Sequence, residues 1–159
     1  MAIILTTIES EMKTLIEGMT TTSYNYNWGT VNNPDMARQT FPSAEIMMTM
    51  ETNVDDPGGG WAQAYSNEAE FQIKVIPELS AEAEVPVYAI NIEYNKALDD
   101  LKKLFGINYN LNGNCCSIMY RSAERINSTA GDNFRPGYLD TRWLVRYSQD
   151  RLDPETVVP

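Results

Sequence analysis

The sequence predicts an α+β fold: a single domain with a mostly antiparallel sheet, a long β-hairpin and two main helices on one side. Two observations carry this. Apolar residues recur at spacings of three and four in two well-separated segments, which marks amphipathic helices. Elsewhere they alternate with polar residues at period two on either side of a glycine-rich connection, which marks strands joined as a hairpin. The order helix, three strands, helix, two strands is that of an α+β domain.

The first helix is expected over residues 3–18. Ile4, Ile8, Met12, Leu15, Ile16 and Met19 form its stripe, and Gly18 can stop it. "SYNYNWGTV" alternates Tyr24, Tyr26 and Trp28 against Asn25 and Asn27, the pattern of a half-buried strand. After the turn-rich "NNPD" comes "FPSAEIMMTMETNV". There Ala44, Ile46, Met48 and Met50 are expected on one face, with Glu45, Met47, Thr49 and Glu51 on the other. "NEAEFQIKVIPEL" alternates again. Ala69, Phe71, Ile73 and Val75 oppose Glu68, Glu70, Gln72 and Lys74, so the outer face of the hairpin is rich in glutamate.

The second helix is expected over 88–105. Its stripe is Ile90, Tyr94, Ala97, Leu98, Leu101, Leu104 and Phe105, and Gly106 is its expected stop. "CCSIMYRSAER" reads as a strand. A polar stretch, "INSTAGDNFRPGYLD", then leads to a last strand, "TRWLVRYSQD". Residues 1–150 make the domain, and 151–159 are expected to be an extended arm. The longest apolar run, Met1–Leu5, is too short to span a bilayer, and no basic segment precedes it.

Composition narrows the chemistry. The chain has 159 residues, no histidine and two cysteines, Cys115 and Cys116. Without histidine, Ser-His-Asp and Cys-His catalysis and histidine-rich zinc sites are excluded. Adjacent strand residues point to opposite faces, so the cysteines are expected as reduced thiols. The net charge is −10. It is concentrated in residues 45–84, where nine acids meet only Lys74, while residues 85–159 balance nine acids with nine bases. A strongly acidic surface argues against general nucleic-acid binding.

The segment "DDPGGGWAQAY" offers three chemistries. A phosphate loop needs Lys and Ser/Thr after its last glycine, followed by a helix; here Trp61 follows Gly60, and a strand comes next. Asp55 and Asp56 lack further carboxylates at calcium-loop spacing and suit a turn instead. The remaining reading is a docking tip made of Asp55, Asp56, Gly58, Gly59, Gly60 and Trp61, with Trp61 as an aromatic anchor. No cofactor or metal is expected, and no residue is selected as catalytic. Arg121, Arg125, Arg142 and Arg146 can share one sheet face if the last two strands pair. Together with Glu68 and Glu70 they supply opposite charges for head-to-tail contact between copies. Phe134, Arg135 and Tyr138 mark a second interface loop within 126–140.

This layout resembles the phage tail terminator proteins, also called tail-completion or minor tail proteins of lambda-like long-tailed phages. The elements that carry the resemblance are the helix 3–18, "FPSAEIMM", the long hairpin to "FQIKVI", the helix 88–105 and "TRWLVRYSQD". It implies a non-enzymatic virion protein, assembled in the host cytoplasm and located in the tail or neck. It implies a homo-oligomeric ring, a hexamer in this family, that caps the tail tube, stops its polymerisation and meets the head-tail connector or neck proteins. DNA would be passing cargo only, and an acidic lumen would not hold its phosphates. The rival readings are another neck or tail-tube component and, from a different class, a small carboxylate-based enzyme or ligand-binding protein.

Overall fold

The computed structural model describes residues 3–19, 43–54, 64–77, 87–127 and 137–150. The elements, in chain order, are α1 (Ile3–Glu17), β1 (Ser43–Asn53), β2 (Ala64–Ile76), α2 (Val87–Ile107), β3 (Ser117–Ile126) and β4 (Tyr138–Asp150). The strands form one four-stranded sheet in the order β1-β2-β4-β3, and every neighbouring pair is antiparallel. The expected strand around Tyr24–Trp28, the docking tip from Asp55 to Trp61, Phe134, Arg135 and the arm 151–159 lie outside the described residues.

Both helices bury the stripes that their spacing predicts. Ile4, Ile8, Met12, Ile16 and Met19 of the first segment are buried, as are Ile90, Tyr94, Ala97, Leu101 and Phe105 of the second. Leu15, Leu98 and Leu104 pack partly buried against the same core. On the sheet, Ala69, Phe71, Ile73 and Val75 of β2 meet Val145, Trp143, Thr141 and Leu139 of β4. This is the helix-facing side, and all eight are buried. Trp143 sits edge-on to Phe105, with ring centroids 4.8 Å apart, so α2 is docked onto the middle of the sheet. Its indole Nε1 donates to Thr141 Oγ1 at 2.8 Å, and Thr141 Oγ1 donates to the Ile73 carbonyl at 3.0 Å. Every polar atom in that buried chain therefore has a partner.

Gly106 does not stop α2. It lies within the helix, and the chain turns after Ile107. An asparagine-rich segment ends it instead. Asn108 returns both its backbone N–H and its side-chain amide to the Leu104 carbonyl, at 3.0 and 2.9 Å. Leu111, Asn112 and Gly113 then all take positive φ. Such backbone is costly for leucine. Complete burial of the Leu111 side chain and the donation from Asn114 Nδ2 to its carbonyl at 2.8 Å offset the cost. Asn112 reaches back to Glu11 and ties this turn to α1.

Strand bounds differ from expectation at three places. β2 begins at Ala64, so the hairpin connection is shorter than expected, and the Val54 N–H donates to the Ser66 carbonyl at its mouth. β4 begins at Tyr138 rather than Thr141, so Tyr138 opens a strand and is not a loop residue. Cys115 and Cys116 precede β3 instead of belonging to it. Both are free: Cys115 is buried and Cys116 exposed.

Each edge strand carries one irregularity, and each changes which residues share a face. Pairing skips Thr49 between Met48 and Met50, and it skips Arg121 between Tyr120 and Ser122. An extra residue inverts the alternation beyond it. Met50 therefore falls in the row of Glu70, on the outer face, and Glu51 in the row of Ala69, on the helix side. Both are the reverse of the simple alternation. Arg125 likewise falls in the row of Leu139, on the helix side. The four arginines do not share a face.

Candidate interaction surface

The outer face of the sheet is a charge ladder built where β2 and β4 pair. Glu68 lies opposite Arg146, and Gln72 lies opposite Arg142. Arg146 Nε donates to Glu68 Oε1 at 2.6 Å. Arg142 donates to Glu70 at 3.3 Å and to Asp140 at 3.4 Å, and Gln72 Nε2 donates to Asp140 at 2.7 Å. Lys74 lies over the Tyr138 ring at 5.3 Å. The glutamates and arginines singled out for contact between copies are thus brought together inside one chain, because β2 and β4 are neighbours. Arg125 instead donates to Asn95 on α2 at 2.6 Å. Arg121 sits exposed at the β3 irregularity.

The two sheet edges differ from this ladder. β1 is buried only at its start, and from Met47 onward every residue is exposed. Met47 is 52% exposed, Met48 37% and Met50 56%, and Val54 follows, also exposed. The sequence pattern placed these methionines on a strand and grouped Met50 with Ala44, Ile46 and Met48 on one face; Met48 keeps that face, and Met50 leaves it. Met47 and Met50 lie in the rows of Gln72 and Glu70, on the outer face, and Met48 lies on the helix side at the sheet edge, where it is still partly exposed. On the opposite edge, Met119 and Tyr120 are each 37% exposed. Lys102 Nζ stands 4.2 Å above the Tyr120 ring, and that ring meets Trp143 edge-on at 5.5 Å. Tyr120 also lines a groove of about 430 Å³ between α2 and β3, with Tyr94, Asn95, Leu98, Arg125 and Leu139.

The helix-side face ends in a polar shelf. Asn53 Nδ2 donates to Asn67 Oδ1 at 3.1 Å, and Asn67 Nδ2 donates to Gln149 Oε1 at 3.3 Å. Beside them the Tyr147 hydroxyl donates to Glu51. Burial, with the Glu51 carboxylate adding to it, pushes the Tyr147 hydroxyl above its ordinary value. Burial, with Cys116 adding to it, pushes the Cys115 thiol up to about 12. Both groups thereby keep their protons well into the alkaline range, and both pack in the buried core. The shelf went unread in the sequence because the extra residue at Thr49 is what turns Glu51 toward Tyr147.

Among the described residues, no group of three or more carboxylate or cysteine side chains is placed to hold a metal ion. None of the described helices is long and apolar enough to cross a membrane. No protein-family model and no curated protein matches this chain.

Proposed function

We infer that this chain is a structural assembly subunit of a phage tail: a tail terminator that forms a ring, caps the tail tube, stops its polymerisation and joins the tail to the head connector. The observation that carries the reading is the outer half of β1. It is hydrogen-bonded to β2 along its length, yet it projects beyond the core with Met47, Met48, Met50 and Val54 in solvent. A strand that holds apolar side chains out on both faces is built to be covered by another protein. Methionine suits such contacts because its unbranched side chain adapts to the surface it meets. The paired charges on the outer sheet face fit the same reading, since a surface whose acids are met by its own arginines offers few free cations to passing DNA. In this reading the protein acts in the tail or neck of the virion and is assembled in the host cytoplasm, without a cofactor.

Native mass measurement across protein concentration, followed by imaging and by addition to growing tail tubes, tests the proposal. A closed ring that shortens or caps the tubes is the expected outcome. Rings that leave tube length unchanged would move the assignment to another neck or tail-tube component. A monomer at every concentration would overturn it.

A further inference from the structure

The two edges of the sheet match one another. On the helix side, one cross-strand row runs Met48, Phe71, Trp143, Tyr120. Its middle members are buried and both ends are exposed. On the outer side, the next row runs Met50, Glu70, Leu144, Met119. Leu144 is buried, and the methionines at both ends are exposed. Because each neighbouring pair is antiparallel in the order β1-β2-β4-β3, β1 and β3 run in opposite directions. A second copy placed beside the first, with its helices on the same side, therefore brings β3 of one copy against β1 of the next as antiparallel neighbours. Both rows then continue across the join, and each meets it with apolar side chains: Met48 against Tyr120 and Met50 against Met119.

The edges also differ in charge. Along the outer half, β1 carries Glu51 and no base, whereas β3 carries Arg121 at its irregularity and Lys102 rests on Tyr120. We propose that copies join head to tail, with Met48 and Met50 on the β1 edge of one copy packed against Tyr120 and Met119 on the β3 edge of the next. This rests on the ring reading above and specifies its subunit contact. The contact is made by side chains. The Ile118 N–H is already donated to the Tyr109 carbonyl at 2.7 Å, and Arg121 interrupts the ladder. The join is confined to the outer half of β1, because the row holding Glu45 also holds Glu124 and opposes like charges. Methionine sulfur against a tyrosine ring is a favourable pairing at this place.

Cross-linking of two marked chains tests this. In a Cys116→Ser background, one chain carries Met50→Cys and the other Met119→Cys, and each is first checked by native mass for assembly. Under mild oxidation, the mixture should give covalent dimers and each chain alone none. One chain carrying both substitutions should give a covalent ladder up to the ring size. Dimers from the Met50→Cys chain alone would show β1 meeting β1 and overturn the proposal. Rings without cross-links in the mixture would overturn it and leave the ring reading standing. Chains that stay monomeric, together with an unsubstituted protein that does the same, would overturn both.

Discussion

The central strands β2 and β4 and the edge strands β1 and β3 are built from the same alternating pattern, yet they do different work. In the centre, the helix-side residues Phe71, Ile73, Trp143 and Val145 are fully or almost fully buried. Their outer-side neighbours pair with one another across the strands. At the edges the pattern continues but the burial stops: Met48 and Tyr120 share a row with Phe71 and Trp143 and remain partly in solvent. An alternating strand thus states which residues share a side, and the extent of the helices decides how much of that side is core. What is left over becomes surface available for assembly.

The sharpest way to break this comparison is to cut into the centre. Trp143→Ala removes a fully packed indole and leaves Thr141 Oγ1 without its donor, so it should destabilise the fold by about 3–5 kcal/mol. Urea denaturation measures this, and a loss under about 1 kcal/mol would mean that the centre is not the stability core.

A smaller effect is expected at the hairpin tip, whose residues lie outside those described. On the tail-terminator proposal, with Trp61 as the anchor, Trp61→Ala should leave the melting temperature nearly unchanged and weaken binding to tail tubes by roughly 2 kcal/mol. A much lower melting temperature would assign Trp61 to the core. Wild-type binding would make the tip a linker and move the interface elsewhere.

Alkaline pH probes the buried thiol. Cys115 keeps its proton in the folded chain up to about 12, against an ordinary value of 9.0. As pH rises past 9 the unfolded chain loses that proton first, so stability is full below 9 and declines between 9 and 12. The decline from this one group is on the order of 1 kcal/mol at pH 10. Cys115→Ala should flatten the stability profile in that window, whatever its effect at pH 7. In the unsubstituted protein at neutral pH, a thiol reagent should label the exposed Cys116 quickly and the buried Cys115 only on unfolding.

The smallest effect is expected in the outer charge ladder. Arg146 is 56% exposed and pairs with Glu68, so Arg146→Ala should cost less than about 1 kcal/mol. A larger loss would show that the ladder carries stability and would bring the outer face closer in role to the core.

Much of this architecture follows from local pattern. The stripes of α1 and α2, the alternation of β2 and β4 and the hairpin between β1 and β2 are legible because helix and strand periods are properties of neighbouring residues. The asparagine-rich end of α2 was not legible as the feature that ends the helix in place of Gly106, because it acts through side-chain and backbone bonds back to the last turn. The site was less legible. Met50, Glu51 and Arg125 each changed face because one extra residue in a strand is accommodated by pairing with a partner strand, and no local pattern records it. The pairing of Glu68 and Glu70 with Arg146 and Arg142 required β2 and β4 to be neighbours, with α2 and β3 lying between them in the chain. The exposure of Met47 and Met50 on β1 depended on the register that places them on the outer face. Over short stretches, which side chains share a surface was readable from the chain, because backbone geometry sets it. Which surfaces meet and which stay open was not, because that depends on strand order and register.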